Sequence, residues 1–324
     1  MEQFVNETSQ ALKNRVGNSP VLLLISGGVD STVAGALLLK ALNSEQVHLM
    51  YMDTGLMRKN ETDVVRAILE KLGAKNIHVI MCEDDFLGAL KGVSEPEEKR
   101  RIIGDMYIKI QEREVARLGL GQDYFLAQGS IRADFIESDS KVKSHHNVAS
   151  PLVIAKREAG KVLEPLAQLY KYEVRDLGRF LGVNEEIVSR HPFPGPGIAV
   201  RILGEVTKEK CDILREADAI YIDELRKRNL YNEIWQAFTV LLPVRSVGVA
   251  SSTAANAGAE NVRRYGWVLA LRAITSKDGM TANVYPFKMQ DILEISSRIT
   301  DSVKEIGRVT YDISNKPPAT IEWE

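Results

Sequence analysis

Short apolar runs and helix-period stretches alternate through the N-terminal half of the chain. Val21–Ser26 (VLLLIS) is continuously apolar, ends in glycines and predicts a buried strand. Thr32–Leu42 (TVAGALLLKAL) is made of helix formers and is apolar nearly all round, as a helix buried on most sides would be. Val47–Met52 (VHLMYM) reads as a second strand. Glu61–Leu72 places Val64, Val65, Ile68, Leu69 and Leu72 on one helical face. Ile77–Cys82 predicts a third strand and Glu97–Leu118 a long helix with Ile102, Ile103, Met106 and Ile110 on one side. Tyr124–Gln128 (YFLAQ) predicts a fourth strand and Gln168–Gly182 a further helix. Strands separated by helices of this length cannot pair as hairpins, so they predict an α/β fold with a doubly wound parallel sheet.

The texture changes at His191. HPFPGPG, residues 191–197, cannot continue a helix or a central strand and reads as a linker or stiff loop. Beyond it the pattern predicts strand Ala199–Val206, helix Thr207–Arg228 capped by Thr207, strands Trp235–Val244 and Trp267–Thr275, helix Met289–Glu305, and strand Arg308–Ser314. That order, βαββαβ, is a smaller α+β unit. The small polar stretch Ala250–Gly258 reads as a mobile loop. The expected domains are therefore residues 1–190 and 191–324.

Composition narrows the classes. With 324 residues, the chain can bury a core in each of two domains. Forty-two Lys and Arg against 44 Asp and Glu leave a net charge of −2, which argues against coating nucleic acid or an anionic membrane. No apolar run approaches the ~20 residues that span a bilayer. The N-terminus lacks a secretory pattern, and the cytosol is the expected compartment. Cys82 and Cys211 form no C-x-x-C pair and read as buried or incidental thiols.

The sharpest chemistry lies in Ser26-Gly27-Gly28-Val29-Asp30-Ser31-Thr32, between the first strand and the first predicted helix. Glycines there allow close approach of backbone to ligand. Unpaired N–H groups and the positive helix end make an anion site, and Ser26, Ser31 and Thr32 add hydroxyls. The string is not a Walker A loop, since no lysine follows a G-x-x-x-x-G frame. A carboxylate inside an anion cradle makes sense when a cation bridges it, so Asp30 is expected to face Mg²⁺ on a polyphosphate.

SGGVDS resembles the pyrophosphate loop of the N-type ATP pyrophosphatases, which cleave ATP between the α and β phosphates. Further strings resemble the GMP synthase family: Met52–Glu61 (MDTGLMRKNE), Pro96–Gly104 (PEEKRRIIG), Lys143–Asn147 (KSHHN), Arg190 with HPFPGPG, and Lys316–Glu324 (KPPATIEWE). The resemblance implies adenylation of xanthosine monophosphate (XMP) by ATP, then amination to GMP. It places Asp53 with the ATP site and Asp134 and Glu137 with the metal. It makes Lys143, His145 and His146 a basic lid with a catalytic role beside Asp30. Arg100, Gln236, Lys316 and Glu322 would hold XMP. No glutaminase segment precedes these strings, so the resemblance implies a free-standing synthetase subunit. Neither cysteine sits on a glycine-flanked elbow, so no intrinsic glutaminase activity is expected and ammonia would come from a separate glutaminase subunit. It also implies a homodimer through the C-terminal domain. Two strings depart from the family pattern. Gln128–Asp134 has Ser130 for Thr and lacks a proline, and Val247-Gly248-Val249 is not followed by the usual Gly-Asp. A relative aminating a different nucleotide, or an inactive nucleotide-binding regulator, are the competing readings.

Overall fold

Strand β1 (Val21–Ile25) is apolar on both faces and takes the centre of a five-stranded sheet. The computed structural model describes residues 1–139, 151–249, 263–277 and 279–324. In chain order the elements before His191 are α1 (Glu2–Val16), β1, α2 (Val29–Ala41), β2 (Val47–Asp53), α3 (Glu61–Lys71), β3 (Asn76–Met81), α4 (Glu83–Ala89) and α5 (Pro96–Leu118). Then come β4 (Phe125–Ala127), α6 (Arg132–Asp139), α7 (Pro151–Glu158), β5 (Val162–Leu163), α8 (Lys171–Phe180) and α9 (Glu185–Val188). All five strands pair in parallel in the order β3-β2-β1-β4-β5, which is the doubly wound sheet the alternation predicts. Val33, Leu37 and Leu38 of α2 are fully buried, and each such side chain contributes about 1.5–3 kcal/mol of apolar burial. Gly178 lets α8 approach α2 closely, since a Cβ there would lie 2.9 Å from Val33 Cγ2.

The chain packs as two units. One is Met1–Thr54, Asn60–Glu83 and Gly104–Arg190; the other is Gly55–Lys59, Asp84–Ile103 and His191–Glu324. The second holds α10 (Lys208–Lys227), β6 (Gln236–Val249), β7 (Arg263–Thr275), β8 (Asn283–Val284), α11 (Met289–Ser302) and β9 (Ile306–Tyr311). β6 and β8 flank β7 antiparallel, and β9 pairs with β7 in parallel. Thr207 caps α10 as its sequence position suggests, its hydroxyl accepting from Lys210 N at 3.3 Å. The register of β6 slips between Leu242 and Arg245, where Pro243 removes a ladder donor.

One predicted strand is not there. Residues 197–201 form a 3₁₀ turn in place of the start of strand Ala199–Val206, and only Ile202 bridges to Leu241. Ile198, Ala199, Val200, Arg201 and Ile202 are all buried, so the stretch has no two-residue alternation. Continuous burial fits a strand and a tight helical turn equally well by pattern alone. Gly197, at φ +65°, settles the choice by turning the chain after Pro196.

His191 opens the proline-rich segment and is 5% exposed. Its Nδ1 accepts from Ala237 N at 3.1 Å, its Nε2 lies 2.8 Å from Tyr231 O, and its ring stacks on Tyr231. Nδ1 as acceptor leaves Nε2 as donor, so both nitrogens are satisfied by the neutral ring. Burial pulls the imidazole down to about 4. The folded value lies below the unfolded one, so the neutral ring stabilises the fold above about pH 6.5 and that contribution is lost as pH falls toward 4. The unfolding free energy should drop by up to roughly 3 kcal/mol over that span. Urea midpoints measured from pH 7 to pH 4 should show this drop in the parent and a shallower one in His191→Gln. Equal slopes would remove His191 as the cause.

Candidate nucleotide sites

In the sheet order β3-β2-β1-β4-β5 the winding reverses between β1 and β4. Ligands of open α/β sheets lie outside the carboxyl ends of the strands at such a reversal. Ser26–Asp30 follows β1 directly, and Gln128-Gly129 follows β4. A Cβ on Gly129 would lie 2.9 Å from Ser31 N, so only glycine lets the β4 loop approach the start of α2 this closely.

The loop is braced by its own side chains. Gly28 caps α2, with Thr32 Oγ1 donating to its carbonyl at 2.9 Å and Ser31 Oγ at 3.2 Å. Ser26 N donates to Ser31 Oγ at 3.2 Å, and the two serine hydroxyls lie 3.1 Å apart. Gly27 has φ +78°, and a Cβ there would stand 2.7 Å from Glu61 Oε1. Arg190 donates to Gly27 O at 2.9 Å and pairs with Glu61, fixing the loop from outside. The result is a rigid turn opening onto the start of α2, suited to phosphate oxygens.

Asp30 Oδ2 accepts from Lys171 Nζ at 2.6 Å, while Oδ1 is buried with no hydrogen-bond partner among the described residues. Asp53, at the end of β2, accepts from Thr62 Oγ1 at 2.5 Å. Asp134 Oδ2 accepts from Ile131 N at 2.8 Å, closing the turn at the start of α6. The described residues contain no group of three His, Cys, Asp or Glu placed to hold a metal. The Glu137 side chain, and Lys143, His145 and His146 entirely, lie outside the described residues, as does the Ala250–Gly258 loop. Lys171 belongs to no motif; it opens α8 far from Asp30 in sequence, and only the fold brings it there.

The second unit carries the four residues expected to hold XMP. Gln236 and Glu322 meet: Gln236 Nε2 donates to Glu322 Oε1 at 2.8 Å and to Pro192 O at 3.1 Å. Arg100 Nη2 donates to Glu324 O at 2.5 Å, two residues further along the same tail. Lys316 stands apart from these contacts and donates to Gly279 O at 2.8 Å. The segment holding Glu322 is tied to buried cations. Lys99, fully buried, donates to Glu324 Oε2 and to Ile202 O, and burial lowers its pKa against the pull of Glu324. Arg272, also fully buried, donates to the carbonyls of Ser314, Thr320 and Ile321 and pairs with Asp312. Arg201 forks onto Glu322. A charged residue inside the apolar run GIAVRIL is a legible sign of a buried pair, but its partner is not.

Two family models match separate parts of the chain. Residues 2–107 match the family model described as NAD synthase, and residues 223–323 match the one described as GMP synthase C terminal domain. A GMP synthase (glutamine-hydrolyzing) of Zymomonas mobilis is 48% identical over 332 residues, covering 100% of this chain and 60% of the relative. Over its whole length the chain is similar to GMP synthases. A relative of the same name from Bdellovibrio bacteriovorus is 50% identical over 311 residues, covering 94% of this chain and 58% of that one. The chain thus spans about three-fifths of the length of these GMP synthase relatives. Among solved structures, an NH3-dependent NAD synthetase from Campylobacter jejuni in complex with nitrate aligns at a TM-score of 0.44 and 17% identity, over 58% of this chain and 76% of that one.

Proposed function

We propose that this chain is the ATP-dependent synthetase part of a GMP synthase, converting XMP to GMP with ammonia. The observation that carries the reading is the braced nest at the sheet reversal, with a buried Asp30 oxygen beside it that has no partner among the described residues. Similarity to GMP synthases along the full chain supports the choice of substrate. The C2 oxygen of XMP attacks the α phosphorus of ATP, and the α–β bridging oxygen leaves with pyrophosphate. Ammonia then adds at C2, the C2–oxygen bond breaks, AMP departs with that oxygen, and the new amine loses a proton.

The residues divide by unit. Ser26, Gly27, Gly28, Val29, Ser31 and Thr32 receive the departing pyrophosphate, with Asp53 on the ATP side. N–H and hydroxyl donors fixed before reaction stabilise charge where it develops. Mg²⁺ fits Asp30: it is held through one or two carboxylates plus substrate phosphates, so an aspartate with one oxygen unpartnered suffices. Bound there, it would neutralise polyphosphate charge. Asp134 and Glu137 complete the acidic set, and Lys143, His145 and His146 form the basic lid. Arg100, Gln236, Lys316 and Glu322 hold XMP, Lys316 exchanging its present carbonyl partner for the substrate phosphate. Ammonia comes from a separate glutaminase subunit, the second unit dimerises, and the protein works in the cytosol.

The experiment is turnover of XMP with ATP, Mg²⁺ and ammonium by the chain. GMP, AMP and pyrophosphate should appear, and glutamine should replace ammonium only when a glutaminase is added. Activity on another nucleotide without XMP would move the substrate assignment, and ATP binding with no turnover of any nucleotide would favour a regulator.

A further inference from the structure

We infer that Arg201 is a positioning residue that fixes the Glu322 carboxylate for the purine substrate, an inference that rests on the XMP reading above. Glu322 lies in a bend outside any helix or strand. Here both its oxygens are claimed. Oε2 accepts from Arg201 Nε at 3.1 Å, and Oε1 accepts from Arg201 Nη2 at 2.9 Å and from Gln236 Nε2 at 2.8 Å. A planar fork of this kind sets the carboxylate's plane as well as its place. The Glu322 side chain keeps 18% of its surface open, whereas that of Arg201 keeps 1%. The acid can therefore meet a ligand; the base cannot without rearrangement.

Arg201 is itself held. It closes the 3₁₀ turn Gly197–Arg201, and its guanidinium lies 4.1 Å from the Phe238 ring centroid and 5.2 Å from that of Phe193. Phe193 and the turn both follow from HPFPGPG, so the stiffness of that segment reaches Glu322 through Arg201. A buried ion pair is weak support for stability, because desolvation offsets most of its attraction. Fixing geometry is the use that remains. Lysine at this position would keep the charge and lose the fork.

The test is a double-mutant cycle on XMP turnover with Arg201→Lys, Glu322→Gln and the double variant. Arg201→Lys should raise the KM for XMP by about 10- to 100-fold, with kcat and the KM for ATP changed far less. In the Glu322→Gln background the same substitution should add almost nothing, because its effect passes through that carboxylate. Should Arg201→Lys not fold, Arg201→Gln serves in the same cycle. Full additivity, or an equal rise in the KM for ATP, overturns the inference while leaving the function standing. A parent chain that does not turn over XMP overturns the function first and this inference with it.

Discussion

Asp30→Asn is expected to lower XMP-dependent pyrophosphate release by about 100- to 1,000-fold, the loss typical of removing one preorganised charge-stabilising group. The substitution is nearly isosteric, so the effect isolates charge. Structurally little is at stake. Among the described residues Oδ1 has no partner to lose, and the Lys171 contact of Oδ2 joins side chains that are 46% and 30% exposed. Exposed pairs of this kind contribute at most about 1 kcal/mol. The thermal midpoint of the variant should therefore stay close to that of the parent. Stopped release in a folded variant supports a cation-facing role. Unchanged release would place Asp30 outside the chemistry and return it to a partner of Lys171.

Gly197→Ala should have the largest effect on stability. Gly197 sits at φ +65°, and a Cβ there would lie 2.2 Å from Leu56 O, the carbonyl that accepts from Ile198 N at 2.8 Å. The left-handed backbone costs an L-residue about 1–2 kcal/mol. The clash is with backbone, which no rotamer relieves, so the total should reach about 3–5 kcal/mol. Urea unfolding reads this directly. The same change should raise the KM for XMP, because the turn that would move carries Arg201 and through it Glu322. A loss below about 1 kcal/mol would mean the Leu56 segment shifts freely, and the turn would no longer count as a fixed support.

Much of the first unit is legible because its strands are apolar runs and its helices keep a clear period. α1 escapes this reading: only Val5, Leu12 and Val16 of its residues are buried, too few to stand out in a polar stretch. The nest is legible for a different reason. Glycine and serine between a strand and a helix have a local meaning that needs no long-range contact. Lys171 meeting Asp30, and Gln236 meeting Glu322 across 86 residues, have no such local signature. The buried cations are a middle case. Arg201 and Arg272 lie in segments whose apolar neighbours mark them as buried, whereas Lys99 sits among charged residues and gives no such sign; the tail all three hold is known only once the chain is folded.

The proposed adenylyl transfer can be followed by one atom. XMP labelled with ¹⁸O at C2 is converted with ATP and ammonium, and the phosphate-containing products are separated and weighed by mass spectrometry. One label per AMP formed, none in pyrophosphate, and equal amounts of AMP and GMP are expected. Label in orthophosphate or water, or ADP in place of AMP, would contradict the transfer.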